Sequence, residues 1–195
     1  MEISILELVA VGFNLCYVIL AAIRSIWCWP FGIVGSALSI WLFVDSKIYA
    51  EAILFSYYVL MGFYGWWNWK KSDDPSRTSL RIITFSVWSH GLIALLGVLL
   101  TAVLFFTLKG LTDAEMPLLD SFTTVFSFIA TWMVAKKILE NWIYWIVLNF
   151  LTIFLYFSRD LSLYAILSAL YVILSVYGYI SWRKDQKLQI QKTHE

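Results

Sequence analysis

The chain has 195 residues, 61% of them hydrophobic and 14% charged, with a formal net charge of +1 and a mean hydropathy of +0.77. Such a composition excludes an ordinary soluble domain, and so small a net charge gives no footing for a nucleic-acid partner. What remains is an all-α integral membrane protein. Its apolar runs of about 20 residues can cross the roughly 30 Å hydrocarbon core as helices, and no alternating pattern suggests a barrel.

Seven such runs follow one another, near 7–24, 27–44, 48–69, 82–108, 118–135, 140–157 and 161–182. The connections are as short as Asp45-Ser46-Lys47 and Ser158-Arg159-Asp160, which leaves room for one transmembrane domain over 1–195 and no separate extramembranous one. Glu2 and Glu7, with no basic residue, precede and open the first run. A cleavable signal peptide has a positive n-region instead, so this run is expected to stay as the first helix. Cys16 and Cys28, without neighbouring His or Asp, read as packing residues rather than a disulfide or metal framework.

The third run ends in Gly-Phe-Tyr-Gly-Trp-Trp-Asn-Trp-Lys-Lys, residues 62–71, and places Tyr57, Tyr64 and Asn68 on one helical face. Trp66, Trp67 and Trp69 lie where an interfacial aromatic belt would lie, and reach either lipid headgroups or substrate. In the fourth run His90 is an isolated ionisable group, either functional or a structural residue hydrogen-bonded to Ser86 and Ser89.

The sixth run reads Glu-Asn-Trp-Ile-Tyr-Trp-Ile-Val-Leu-Asn, with Trp142, Trp145 and Asn149 at i, i+3 and i+7 on one face. An amide at the depth of Asn149 needs a partner or a ligand. The indoles could be belt and Asn149 an interhelical glue. Their common stripe points rather to a binding face that stacks a flat heteroaromatic ring and reads its carboxamide. Tyr177 and Ser181 offer the matching face of the seventh run, and 185–195 is a polar tail.

Eleven basic residues (Arg24, Lys70, Lys71, Arg77, Arg81, Lys136, Lys137, Arg183, Lys184, Lys187 and Lys192) fall on the side of the C-terminus, against Lys47, Lys109 and Arg159 on the other. The positive-inside rule then puts the C-terminus in the cytoplasm and the N-terminus outside. Asp45, Asp120, Asp160 and Glu140 lie at run ends and Glu51 about one turn inside, so no deep carboxylate is available for ion coupling. No nucleotide-binding, triad or metal-spaced pattern occurs, so no enzyme, cofactor or metal is expected. Nor is there a deep Arg or Lys to meet a phosphorylated substrate.

The chain also resembles itself. Offset by 113, residues 26–71 lie without a gap on 139–184, with 15 of 46 pairs identical, among them Trp29 with Trp142, Tyr58 with Tyr171, Tyr64 with Tyr177, Gly65 with Gly178 and Trp69 with Trp182. This predicts two parallel three-helix repeats, about 5–71 and 118–184, joined by a linker helix at 82–108 and related by an axis along the membrane normal. Transporters with such repeats hold substrate between them near the midplane, whereas a non-transporting bundle has no evident use for the axis.

The Glu140, Asn141, Trp142, Trp145, Asn149 pattern, together with Tyr-Gly-Trp-Trp-Asn-Trp-Lys-Lys at 64–71, resembles the bacterial PnuC family of nicotinamide riboside transporters. The resemblance implies a 3+1+3 fold similar to the SWEET sugar transporters in its repeat logic, residence in the bacterial inner membrane, facilitated diffusion, and a cytoplasmic riboside kinase that traps the cargo. Trp142, Trp145 and Asn149 are then the main substrate residues, with Asn141, Tyr64, Asn68, Tyr177 and Trp182 as further contributors. Members of the wider family carry thiamine or other vitamin precursors, so another vitamin stays open as cargo. A homo-oligomer also stays open, because lipid-facing and subunit-facing apolar residues look alike in sequence.

Overall fold

The computed structural model describes residues 5–45, 49–72, 81–111, 116–158 and 162–194. Lys47, Arg77 and Arg159, used in the charge comparison, lie outside these, as does the side chain of Glu51. Seven helices account for nearly all of the described chain: α1 (Ile5–Ala22), α2 (Cys28–Asp45), α3 (Tyr49–Ser72), α4 (Val87–Leu111), α5 (Pro117–Ala135), α6 (Asn141–Ser158) and α7 (Ser162–His194). By length and apolarity, α4, α5, α6 and the Ala165–Gln191 part of α7 each suffice to cross a bilayer, while α1 and α2 carry shorter apolar stretches, Leu8–Ala22 and Cys28–Leu42.

Helices α1, α2 and α3 pack consecutively, and so do α5, α6 and α7; the two triplets meet where α3 lies on α5 and where α1 lies on α7. Helix α4 packs its backbone closely on α5 and reaches α6 through the His90 side chain, which meets Tyr144. Its Gly97 and Thr101 are buried there, and a Cβ on Gly97 would come within 2.5 Å of the Phe126 ring, so glycine sets how closely α4 approaches. Most of the rest of α4, including Trp88, Leu92, Leu99 and Phe106, is exposed. In a bilayer an all-round apolar helix of this kind is solvated by lipid.

Two expected boundaries move. The fourth run was expected from residue 82, but helix α4 begins at Val87 because Ile83 forms a parallel β-bridge with Ile138. Apolar Ile82 and Ile83 thus serve an extended segment rather than a span. The seventh helix continues past 182 to His194, so the polar tail is largely helix. His90 also finds a different partner: its Nδ1 lies 3.1 Å from the Tyr144 hydroxyl, while Ser86 and Ser89 bond each other.

The turns after α1 and α5 are built alike. At the first, Arg24 has φ 60, its N–H donates to Ala21 C=O, and Ser25 N–H donates to Leu20 C=O. At the second, Lys137 has φ 54, its N–H donates to Val134 C=O, and Ile138 N–H donates to Met133 C=O. Each is a Schellman cap, which satisfies carbonyls left over in the last helical turn. Each uses a basic residue where glycine would be the unstrained choice.

Candidate functional site

The two caps set the entry of the helices that follow, and so place Trp29 and Trp142 at the second position of α2 and α6. Both indoles are buried, and each lies on a glycine of the next helix in its own triplet. A Cβ on Gly178 would come within 2.7 Å of three Trp142 ring atoms, and one on Gly65 within 2.3–2.5 Å of three Trp29 ring atoms. Glycine is required here by the flat approach of indole to backbone.

From these beds the rings connect across the molecule. Trp29 meets Trp69 edge-on at 5.3 Å, Trp142 meets Trp182 edge-on at 5.5 Å, and Trp69 and Trp182 lie 6.0 Å apart between the triplets. Edge-to-face pairs of this kind contribute about 0.5–1.5 kcal/mol each beyond area burial. Cys28, Ala22, Ala135 and Leu139 pack into the same cluster.

Polar side chains tie the cluster to helix ends. Trp182 Nε1 donates to Ala21 C=O at 2.9 Å, a carbonyl that also accepts from Arg24 N–H in the cap, and Asn68 Nδ2 donates to Ala135 C=O at 2.8 Å; both acceptors lie in the terminal turns of their helices. Asn141 Nδ2 donates to Ile138 C=O at 2.6 Å. In contrast, the indole nitrogens of Trp29, Trp69 and Trp142 and Oδ1 of Asn141 are buried with no hydrogen-bond partner among the described residues.

The eight residues singled out from sequence therefore separate into three groups. Trp142 and Trp182 belong to the closed cluster, with buried Asn141 and half-buried Asn68 bonded to helix ends beside it, and Trp182, Asn68 and Asn141 give their N–H groups to backbone carbonyls. Trp145, Asn149 and Tyr64 are half-buried. Trp145 packs against both the tryptophan cluster and a second one formed by Val125, Phe126, Ala130 and Leu148. The side-chain amide of Asn149 makes no hydrogen bond among the described residues, while its backbone carbonyl accepts from Thr152 Oγ1 at 2.9 Å. Tyr177 is 52% exposed and belongs to neither cluster.

Of the belt tryptophans, Trp66 and Trp67 are exposed, whereas Trp69 is buried. Lys71 Nζ stands 3.3 Å from the Trp67 ring centre, so one of the paired lysines covers an outward indole. Lys136 Nζ lies 5.4 Å from the Tyr64 ring and Lys137 Nζ 4.7 Å from the Trp69 ring. Neither contact was foreseen from sequence, since each joins residues more than 60 positions apart. Tyr57 is also tied down, donating its hydroxyl proton to Phe128 C=O at 2.9 Å. Of the three stripe residues on α6, Trp142 is buried while Trp145 and Asn149 are half-buried.

A groove of about 550 Å³ lies elsewhere, against Phe105, Met116, Pro117, Phe122, Leu151 and Phe154. Its wall is apolar, and it lacks the convergent polar groups that orient a polar ligand. The described residues contain no group of three or more potential metal ligands.

Comparison with known proteins places this arrangement in context. The pattern that defines the nicotinamide mononucleotide transporter family matches residues 4–184. The nicotinamide riboside transporter PnuC of Neisseria mucosa is 30% identical over 167 residues, covering 79% of this chain and 62% of that protein. The chain thus spans less than two thirds of that relative's length. The riboflavin/roseoflavin transporter RibM of Streptomyces davaonensis is 21% identical over 175 residues, covering 84% of this chain and 79% of that one. A crystal structure of the vitamin B3 transporter PnuC superimposes with a TM-score of 0.77 at 29% identity, covering 93% of this chain and 82% of that chain.

Proposed function

The chain belongs to the nicotinamide mononucleotide transporter family, and from that premise we propose that it is a bacterial inner-membrane uniporter for nicotinamide riboside. It works by alternating access between its two helix triplets. It does no chemistry on its cargo; a cytoplasmic kinase phosphorylates the riboside and so retains it. The C-terminus and the end of the bundle with the Schellman turns face the cytoplasm, and the N-terminus faces outward.

The observation that carries this reading is the doubling of the structure at a spacing of 113. The same caps, the same glycine beds and the same edge-on tryptophan pairs recur, and the contacts between triplets are exchanged as α3 on α5 and α1 on α7. Two like halves about one axis have two related states, according to which end parts.

The cargo is a planar pyridinium cation carrying a carboxamide. Trp145 stacks on the ring, a cation–π contact worth up to about 2 kcal/mol when desolvated. Asn149, whose amide is otherwise unengaged, reads the carboxamide, and Tyr64 supplies the wall from the first triplet. Trp142 closes the stripe at its cytoplasmic end, with Trp182, Asn68 and Asn141 as the frame behind it and Tyr177 at its margin.

Uptake of labelled riboside into liposomes tests the proposal. Uniport predicts filling to equal concentrations inside and outside, with no response to a proton or sodium gradient and no uptake of the mononucleotide. Accumulation above equilibrium, or no uptake at all, would overturn it. The likeness to a riboflavin/roseoflavin transporter supports a second reading, in which a flavin stacks on the same indole; competition by riboflavin but not by the riboside would favour it.

A further inference from the structure

Polar links between the two triplets gather at one end of the bundle. Apart from Tyr57 to Phe128, the described ones lie beside the Schellman turns: Asn68 to Ala135, Trp182 to Ala21, and an ion pair between Arg24 and Asp185. The first two join helices that are exchanged between triplets. The ion pair has no counterpart, because the residue 113 positions before Asp185 is Ser72.

Across the same end runs a segment that belongs to neither triplet. Ile82 N–H donates to Gln189 Oε1 at 3.1 Å, and Ile82 C=O accepts from Gln186 Nε2 at 3.2 Å, both on the part of α7 beyond Trp182. Ile83 N–H donates to Lys137 C=O at 3.1 Å, and Ile83 C=O accepts from Leu139 N–H at 2.9 Å. Phe85 N–H donates to the Glu140 carboxylate at 3.3 Å. The segment thus binds the turn of the second triplet to the α7 extension, and Asp185 on that extension reaches the turn of the first triplet.

Any parting of the halves at this end must separate Trp69 from Trp182, and must first release Arg24 from Asp185. We propose that residues 82–85 and the α7 extension, closed by Arg24–Asp185, form a latch that keeps this end shut. Its release is a required step before the path opens to that side. The inference rests on the alternating-access reading above and adds a control element that the repeat itself does not contain. Latch strength is then set by one ion pair between half-buried side chains, with hydrogen bonds, one of them to the Glu140 carboxylate, holding the strap in place.

Cys28 provides a native reporter, being fully buried beneath the latch in the tryptophan cluster. In a Cys16→Ala background, the rate of Cys28 alkylation by N-ethylmaleimide measures opening at this end. Asp185→Asn should raise that rate about fivefold, the equivalent of roughly 1 kcal/mol of ion pairing. Gln186→Ala with Gln189→Ala should raise it as well, and the charge exchange Arg24→Asp with Asp185→Arg should return it toward the parent value. In the Cys16→Ala background with Cys28→Ser, a cysteine placed at buried Leu155 on the far half of α6 reports general loosening.

Faster alkylation at Cys28 with an unchanged rate at position 155 supports the latch. Equal acceleration at both sites, or no change at Cys28, overturns it. The readout needs no substrate, so it separates the two ideas. Riboside uptake with unresponsive Cys28 removes the latch and leaves the transporter; a responsive Cys28 without riboside binding removes the cargo assignment and leaves the moving end.

Discussion

Alanine at Gly178 should force apart a junction that has no slack. Its Cβ would lie 2.7 Å from three atoms of the Trp142 ring, well inside contact distance. The ring cannot retreat freely, because its other edge meets Trp182 at 5.5 Å and 85°. Overpacking of this kind costs about 1–3 kcal/mol. Alanine also gains about 1 kcal/mol over glycine in a helix interior, so a reference substitution with the same gain is needed. Gly91 in α4 serves, since a Cβ there meets nothing within 4 Å. Measured against Gly91→Ala in detergent, Gly178→Ala should melt about 2–12 °C lower, taking roughly 2–4 °C per kcal/mol for a chain of this size. Gly65→Ala should fall at least as far, because its Cβ would lie still closer, 2.3–2.5 Å, to three atoms of the Trp29 ring. A Gly178→Ala protein as stable as Gly91→Ala would refute the account of indole lying flat on backbone.

Other consequences follow from individual contacts. Asn68→Leu leaves the Ala135 carbonyl with no partner among the described residues and should cost about 1–3 kcal/mol, read as a lower melting temperature with or without ligand. Asn149→Leu should behave oppositely, abolishing riboside uptake while the melting temperature of the ligand-free protein stays within a degree or two of the parent. Trp182→Phe should destabilise more than Trp142→Phe, because the first loses a bond to Ala21 and the second discards an unpaired buried N–H; thermal melts of the two rank them. Lys136→Gln removes a resident ammonium from the Tyr64 face. It should tighten binding of the cationic riboside about two- to fivefold, the scale of a cation–π contact near a surface, and calorimetry would measure it.

What the sequence discloses depends on whether the physics is local. Helical spans were legible because every backbone group in lipid must bond within its own helix, and apolar runs of the right length mark where that happens. The tryptophan pairs were legible in part, since Trp29 with Trp142 and Trp69 with Trp182 recur at one spacing. Their burial was not, because an indole before two lysines reads equally well as interface. Ile82 and Ile83 look like the start of a span, and only their bonding to Gln189 and to the turn at 137–139 shows otherwise. Tyr64 and Tyr177 are identical at matching positions, yet Tyr64 has Lys136 over its ring while the position matching Lys136 is Ile23. Long-range partners of this kind follow from how the halves dock, which no single-chain pattern records. Asn68 was expected at the cargo from its helical face with Tyr64, and Asn141 and Trp182 from the family pattern and the repeat; that their N–H groups have backbone partners was not legible.

The bond from Trp182 to Ala21 spans 161 residues, and this has a consequence for how the protein is made. At about 5–20 residues per second, a ribosome needs roughly 8–32 s to deliver Trp182 after Ala21 has emerged. Throughout that interval the first three helices can sit in the bilayer, but Ala21 C=O lacks the Trp182 indole and Trp69 has only Trp29 as a ring partner. Completion of the N-terminal half therefore waits on the last helix, and a nascent chain stalled before residue 182 would leave that junction open to quality-control proteases.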